Sequence, residues 1–164
     1  MSHFNHPFPP LLDDNTRVLF LGSFTSIASF EQSFYYAHPR NAFWPIMESI
    51  FEVKLQSNEA KKLFCLKKGI GLWDVIASCE RSNSSDTNLK NCIPNDFVQL
   101  LKEYPNIQSI AFTGKKIHDL FMKFYKDVSV EKVLLPSTSP AHASMRKAEK
   151  EKIYKDFLDR FLTA

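Results

Sequence analysis

The chain is 164 residues long, 44% hydrophobic and 13% aromatic with fifteen phenylalanines, a composition that excludes a disordered chain and fits one packed domain over residues 1–164. Its 21 Lys and Arg stand against 18 Asp and Glu, a net charge of +3 that permits a nucleic-acid partner without requiring one. Cys65, Cys79 and Cys92 are odd in number and widely spaced with no C-x-x-C, so neither a disulfide framework nor a zinc or iron-sulfur site is suggested, and no apolar run reaches membrane-spanning length, which leads us to expect a cytoplasmic protein.

Residues 1–15 carry Pro7, Pro9 and Pro10 among His and Phe and are expected to form an extended arm packed on the domain, with His3 and His6 at the surface. Residues 17–21 are a short apolar run closed by Gly22, the pattern of a buried strand. Phe43, Ile46, Met47, Ile50 and Phe51 fall at helical spacing, so a helix starts near Asn41 and accommodates Pro45 in its first turn. A short helix follows over 58–66. Residues 71–77 read as the second strand, where Asp74 is a carboxylate that needs partners if buried; a structural role is expected for it.

Asn95 is placed to cap a helix bearing Phe97, Leu100, Leu101 and Tyr104 and stopped by Pro105. Residues 107–113 form a third strand, Gly114 opens a helix with Ile117, Leu120, Phe121 and Phe124 on one stripe, and 130–135 form a fourth strand before Pro136. The last helix spans about 142–161, with Ile153, Phe157 and Phe161 on one row. Strands alternating with helices predict an α/β fold, a three-layer α/β/α arrangement around a central four-stranded parallel sheet. Gly114-Lys115 after a strand is not a phosphate loop, because Ser109 and Lys116 stand where that motif needs Gly and Ser or Thr.

In an open parallel sheet ligands sit beyond the carboxyl ends of the strands. The loops expected there begin after Leu21, after Ala77 and after Leu135, and they hold polar residues out of place in a core. The stretch from Tyr35-Tyr36 through Arg40-Asn41 to Phe43-Trp44 crowds base-sized aromatics, a cation and an uncharged amide at the mouth of a helix, which suits a flipped nucleobase. Taken singly, Tyr35, Phe43 and Trp44 fit the core equally well, and Asn41 fits a helix cap. The paired lysines read as solvated faces; Arg40 and Arg146-Lys147 are the expected phosphate contacts.

These residues resemble the uracil-DNA glycosylase superfamily, specifically its hypoxanthine-DNA (deoxyinosine) glycosylase branch. The likeness rests on Leu21-Gly22-Ser23-Phe24, on Tyr35-Tyr36-Ala37-His38-Pro39-Arg40-Asn41-Ala42-Phe43-Trp44, on Leu72-Trp73-Asp74-Val75-Ile76 with Cys79 and Arg81, and on Leu135-Pro136-Ser137-Thr138-Ser139-Pro140-Ala141. It implies a monofunctional enzyme that removes hypoxanthine or uracil from DNA and leaves an abasic site, with no cofactor and no metal. It implies further that Asn41 is catalytic, that Gly22, Ser23, Phe24, Tyr35, Tyr36 and Phe43 contact the base, and that Ser137, Thr138, Ser139, Pro140, Ala141 and His142 form the loop inserted into DNA. Arg40, Arg81, Ser84, Asp86 and Arg146 are expected in support. The wedge is Ala141, His142 or Met145.

The chain departs from the family pattern at Thr25, where Pro is usual, at Asn83, where Gly is usual, and at His142, where a small amide is common. The expected partner is double-stranded DNA bearing a deaminated base, with single-stranded DNA a further candidate, and the expected state a cytoplasmic monomer, nucleoid-associated in a bacterium. Two other readings stand beside this one: a member that only binds nucleic acid, and a hydrolase of small nucleosides.

Overall fold

The computed structural model describes residues 2–6, 8–24, 34–81, 90–139 and 145–162, with the side chains of 2–4 and 81 left aside. Its strands are β1 (Ser2–Asn5), β2 (Val18–Gly22), β3 (Ile70–Asp74), β4 (Ile76–Arg81), β5 (Lys90–Pro94), β6 (Ser109–Phe112) and β7 (Glu131–Leu134). Its helices, numbered here over the described residues, are α1 (Phe43–Phe51), α2 (Asn58–Lys68), α3 (Phe97–Glu103), α4 (Lys115–Tyr125) and α5 (Lys147–Leu162).

The four expected parallel strands are present, in the order β3-β2-β6-β7. Val18 to Gly22 is apolar throughout because β2 is covered on both faces, as central parallel strands are. Its side chains alternate between two cores. Val18 and Phe20 join the cluster built by α1, α2 and α5, and Leu19 and Leu21 join the one built by α3 and α4. Phe20 centres the first cluster, edge-on to Phe43 at 5.3 Å and to Phe157 at 5.8 Å and parallel to Tyr154 at 6.2 Å. Burying such a ring stabilises the fold by roughly 1.5–3 kcal/mol.

Helix ends follow local chemistry. Ser57 Oγ accepts from Ala60 N at 3.0 Å to start α2, and Asp96 Oδ1 accepts from Gln99 N at 3.0 Å to start α3. The cap of α3 is therefore Asp96 and not Asn95, whose side chain is buried and donates to the Asp74 carbonyl oxygen at 2.9 Å. The last helix begins at Lys147, five residues later than its apolar spacing implied.

One expectation is corrected at the sheet. The run 71–77 is not one strand: Val75 N donates to the Gly22 carbonyl at 2.8 Å, which turns the chain out of the parallel sheet and into β4. A second, antiparallel sheet of order β1-β4-β5 results. The N-terminal arm packs on the domain by pairing with it: Ser2–Asn5 pairs with β4 and Leu11 exchanges backbone hydrogen bonds with Leu72 at 3.0 and 2.9 Å. Arm strands of this kind show no sequence signature of their own, because Pro residues nearby suggest irregular chain.

Candidate active site

Gly22, Asp74, Phe112 and Leu134 close the four parallel strands at one edge, in register Gly22 with Asp74 and Leu21 and Leu134 with Phe112. The loops leaving that edge carry most of the residues singled out above. Gly22 is required by its neighbour: a Cβ there would stand 2.5 Å from Asp74 Oδ1. Ser23 and Phe24 follow and are buried, and the Ser23 carbonyl accepts from Ile76 N at 3.0 Å, so the turn is held from behind by the start of β4.

Asn41 stands one residue before Ala42 at the mouth of α1, and its Oδ1 accepts from Phe43 N at 2.9 Å. The cap-like bond fixes the amide's rotamer, while the second lone pair of an amide oxygen can still hold a water. The turn before it is closed by Asn41 N to the His38 carbonyl at 2.9 Å and by Arg40 N to His38 Nδ1 at 3.1 Å. Ala42 N donates to the Thr138 carbonyl at 2.9 Å, so the amide-bearing turn and the 136–139 loop are joined directly. That loop is braced by Ser137 Oγ, which accepts from Ser139 N at 3.1 Å, and by Tyr154 Oη, which donates to the Pro136 carbonyl at 2.6 Å.

The aromatics divide. Phe43 is fully buried, and Tyr36 lies flat on it with ring centroids 4.2 Å apart, in a left-handed backbone conformation of φ 53° that is uncommon for a tyrosine. The Tyr36 hydroxyl is buried beside Thr113 without a hydrogen bond of ordinary geometry among the described residues. Tyr35 is also buried; its hydroxyl donates to the Pro9 carbonyl at 3.2 Å and its own carbonyl accepts from Trp44 Nε1 at 2.9 Å. Burial, then the nearby Asp74 carboxylate, push both tyrosine hydroxyls far above the ordinary phenol range. Phe24, Tyr35, Tyr36 and Phe43 all pack with the core, Tyr36 only partly buried, and Phe24 and Tyr35 do so on the side of the turn that meets the arm.

Asp74 has a partner that local sequence does not signal. His6 Nε2 lies 2.8 Å from Asp74 Oδ2 with both side chains buried, which corrects the expectation of a surface histidine. The signal present in the sequence was the carboxylate in an apolar strand; its partner, 68 residues away, was not readable. Arg40 is exposed, and Arg146 is an exposed side chain paired with Glu149 at 2.8 Å. Arg81 ends β4 opposite Ser2, in the antiparallel sheet and not in the parallel one. Ser84, Asp86, Pro140, Ala141 and His142 lie outside the described residues, as do Thr25 and Asn83. Among the described residues no group of three or more His, Cys, Asp or Glu could hold a metal ion, and no helix is long and apolar enough to cross a membrane.

Residues 9–161 match the model of the uracil DNA glycosylase superfamily. A hypoxanthine DNA glycosylase of Methanosarcina barkeri (strain Fusaro / DSM 804) is 37% identical over 145 residues, covering 87% of this chain and 91% of that protein. A hypoxanthine DNA glycosylase of Methanosarcina acetivorans is 34% identical over 153 residues, covering 90% and 96%. The solution NMR structure of a candidate uracil DNA glycosylase from Methanosarcina acetivorans superposes with a TM-score of 0.79 at 31% identity, over 96% of this chain and 99% of that one. With loops of this kind gathered at the carboxyl edge of its parallel sheet, and with a match running through nearly all its length, the chain belongs to the uracil DNA glycosylase superfamily.

Proposed function

We propose that the protein is a monofunctional DNA glycosylase that hydrolyses the N-glycosidic bond of a flipped deaminated base, hypoxanthine first and uracil second, in double-stranded DNA. The reading is supported most by Asn41: its side chain is locked at the mouth of α1, and the next residue is tied to the loop proposed to enter DNA. In the proposed reaction a water held by the Asn41 carbonyl oxygen bonds to C1′ as the C1′–N bond breaks. The bond's electron pair leaves with the base, and the water's proton ends on that base. Both relatives named for hypoxanthine excision favour that base.

A base leaving as an anion needs donors aimed at it, and loss of one such donor typically costs about 10² to 10³ in rate. The backbone of the Gly22 to Phe24 turn is the proposed source, with Phe24 or Tyr35 against the base, where stacking contributes roughly 1–3 kcal/mol. Extrusion costs a few kcal/mol, least for a weakly paired base, which favours inosine and uracil over normal bases. Ser137, Thr138 and Ser139 begin the proposed inserting loop, and Arg40 and Arg146 are its proposed phosphate contacts, Arg146 after release from Glu149.

The test is alkali-revealed strand cleavage of labelled duplexes carrying one inosine or one uracil, under single-turnover conditions, with wild type and Asn41→Ala. Abasic sites that depend on Asn41 are the expected result and rank the bases. Retained release by Asn41→Ala would sink the catalytic assignment, and no release from any duplex with salt-sensitive binding intact would favour a protein that only binds nucleic acid.

A further inference from the structure

His6 reaches the site from the N-terminal arm. Its Nε2 is 2.8 Å from Asp74 Oδ2; its Nδ1 is 2.8 Å from the Phe8 carbonyl oxygen and 3.3 Å from Phe8 N. Facing a carboxylate, Nε2 is the donor. The two side chains are 5% and 8% exposed, and a carboxylate so buried is unfavourable unless hydrogen-bonded. The other oxygen, Oδ1, fills the space beside Gly22 that a side chain would need, since a Cβ built there would stand 2.5 Å from it. The His6 ring lies 5.9 Å from Phe24 and 6.1 Å from Tyr35, the two aromatics that line this side of the turn. The chain therefore runs His6, Asp74, Gly22, ending at the turn whose amides face the leaving base in the proposed reaction.

We propose that His6 is a positioning residue for base release, holding the Asp74 carboxylate against Gly22 so that the 22–24 turn keeps the geometry on which departure of the base depends. The inference rests on the glycosylase reading. Without His6 the carboxylate either swings from Gly22, loosening the turn, or keeps its place with one hydrogen bond fewer and so sets more of its negative charge beside a base that leaves as an anion. Either change raises the barrier to chemistry more than it weakens duplex binding, and a misplacement of about 1 Å is enough to cost about 10²-fold. The arm itself does not depend on the imidazole. His6 N donates to the Ala77 carbonyl at 2.8 Å, β1 pairs with β4, and Leu11 pairs with Leu72.

The test measures single-turnover release from an inosine duplex, duplex affinity by anisotropy and thermal stability for wild type, His6→Ala, His6→Gln, Asp74→Asn and His6→Ala/Asp74→Asn. Expected are a rate loss of roughly 10- to 100-fold for His6→Ala with duplex affinity within about twofold of wild type, partial recovery in His6→Gln, and a much smaller effect of His6→Ala once Asp74 is replaced by Asn, as residues acting through one another require. An active wild type whose His6→Ala variant keeps its rate overturns the inference alone. So does a loss as large in the Asp74→Asn background as in wild type, or one matched by a loss of duplex affinity. A wild type that releases no base overturns the glycosylase reading and this inference with it.

Discussion

In the proposed function Asn41 serves two purposes with one atom. Its Oδ1 accepts from Phe43 N in the turn that leads into α1, whose N-cap position is Ala42, so a helix-end role and the proposed catalytic role of the same residue do not compete. The consequence is measurable: Asn41→Ala should cost about 1 kcal/mol of unfolding free energy, the usual worth of such a cap, while abolishing base release. A loss of activity fully explained by unfolding in urea titrations would refute the separation. Cys65 gives a second residue-scale prediction. It is fully buried on α2, and burial alone pushes its thiol far above the usual range, so little thiolate exists at neutral pH. Thiol reagents should modify Cys65 only at the rate of unfolding; prompt labelling of Cys65 in the native protein, located by peptide mass, would contradict this.

Among elements, the junction of β2 with β3 is the most constrained. Gly22→Ala places a methyl 2.5 Å from an Asp74 oxygen whose partner oxygen is held by His6, so relief requires backbone movement. A destabilisation of about 1–3 kcal/mol is expected, with base release reduced further than stability explains. A Gly22→Ala variant with the wild-type urea midpoint would show that the carboxylate swings away freely. The contact between α5 and the loop after β7 is testable in the same way. Tyr154→Phe removes the 2.6 Å bond to the Pro136 carbonyl while keeping the buried ring parallel to Phe20, and should lower stability by about 0.5–1.5 kcal/mol. Thermal or urea unfolding of the variant gives the answer directly.

For the whole molecule, the buried tyrosines set the alkaline limit. Burial first, then neighbouring charge, raises Tyr35, Tyr36 and Tyr154 well above the ordinary phenol value near 10. The unfolded chain therefore gives up these protons first, and unfolding releases protons at high pH. Their contribution to stability is complete below about pH 10 and is lost progressively as the pH rises above it. Urea midpoints measured from pH 8 to 11 should fall steeply only at the upper end; a flat profile would mean the rings ionise in the folded state. Duplex binding is the other molecular property to measure, because each phosphate neutralised contributes about 0.9 to the log-log salt slope. A slope of several units is expected, and a slope near zero would point to a small-nucleoside substrate.

Local sequence was enough for the central sheet and its helices. Apolar runs of strand length closed by Gly22 or Pro136, and stripes such as Ile117 and Phe121, report the burial of a single element, and burial is written in the residues themselves. The residues of the turn after β2, of the Asn41 turn and of the 136–139 loop were singled out differently, by their polarity next to apolar runs and by the family resemblance, and the parallel topology delivers the strand ends that lead to them to one edge. Pairing across distance was not legible. The antiparallel sheet of the arm with β4 and β5, the turn at Val75 that ends β3 early, the bond from Ala42 to Thr138 and the partnership of His6 with Asp74 all join residues far apart in sequence. Each depends on strand register and on which polar group desolvation forces to find a partner, and both are settled only when the chain closes on itself.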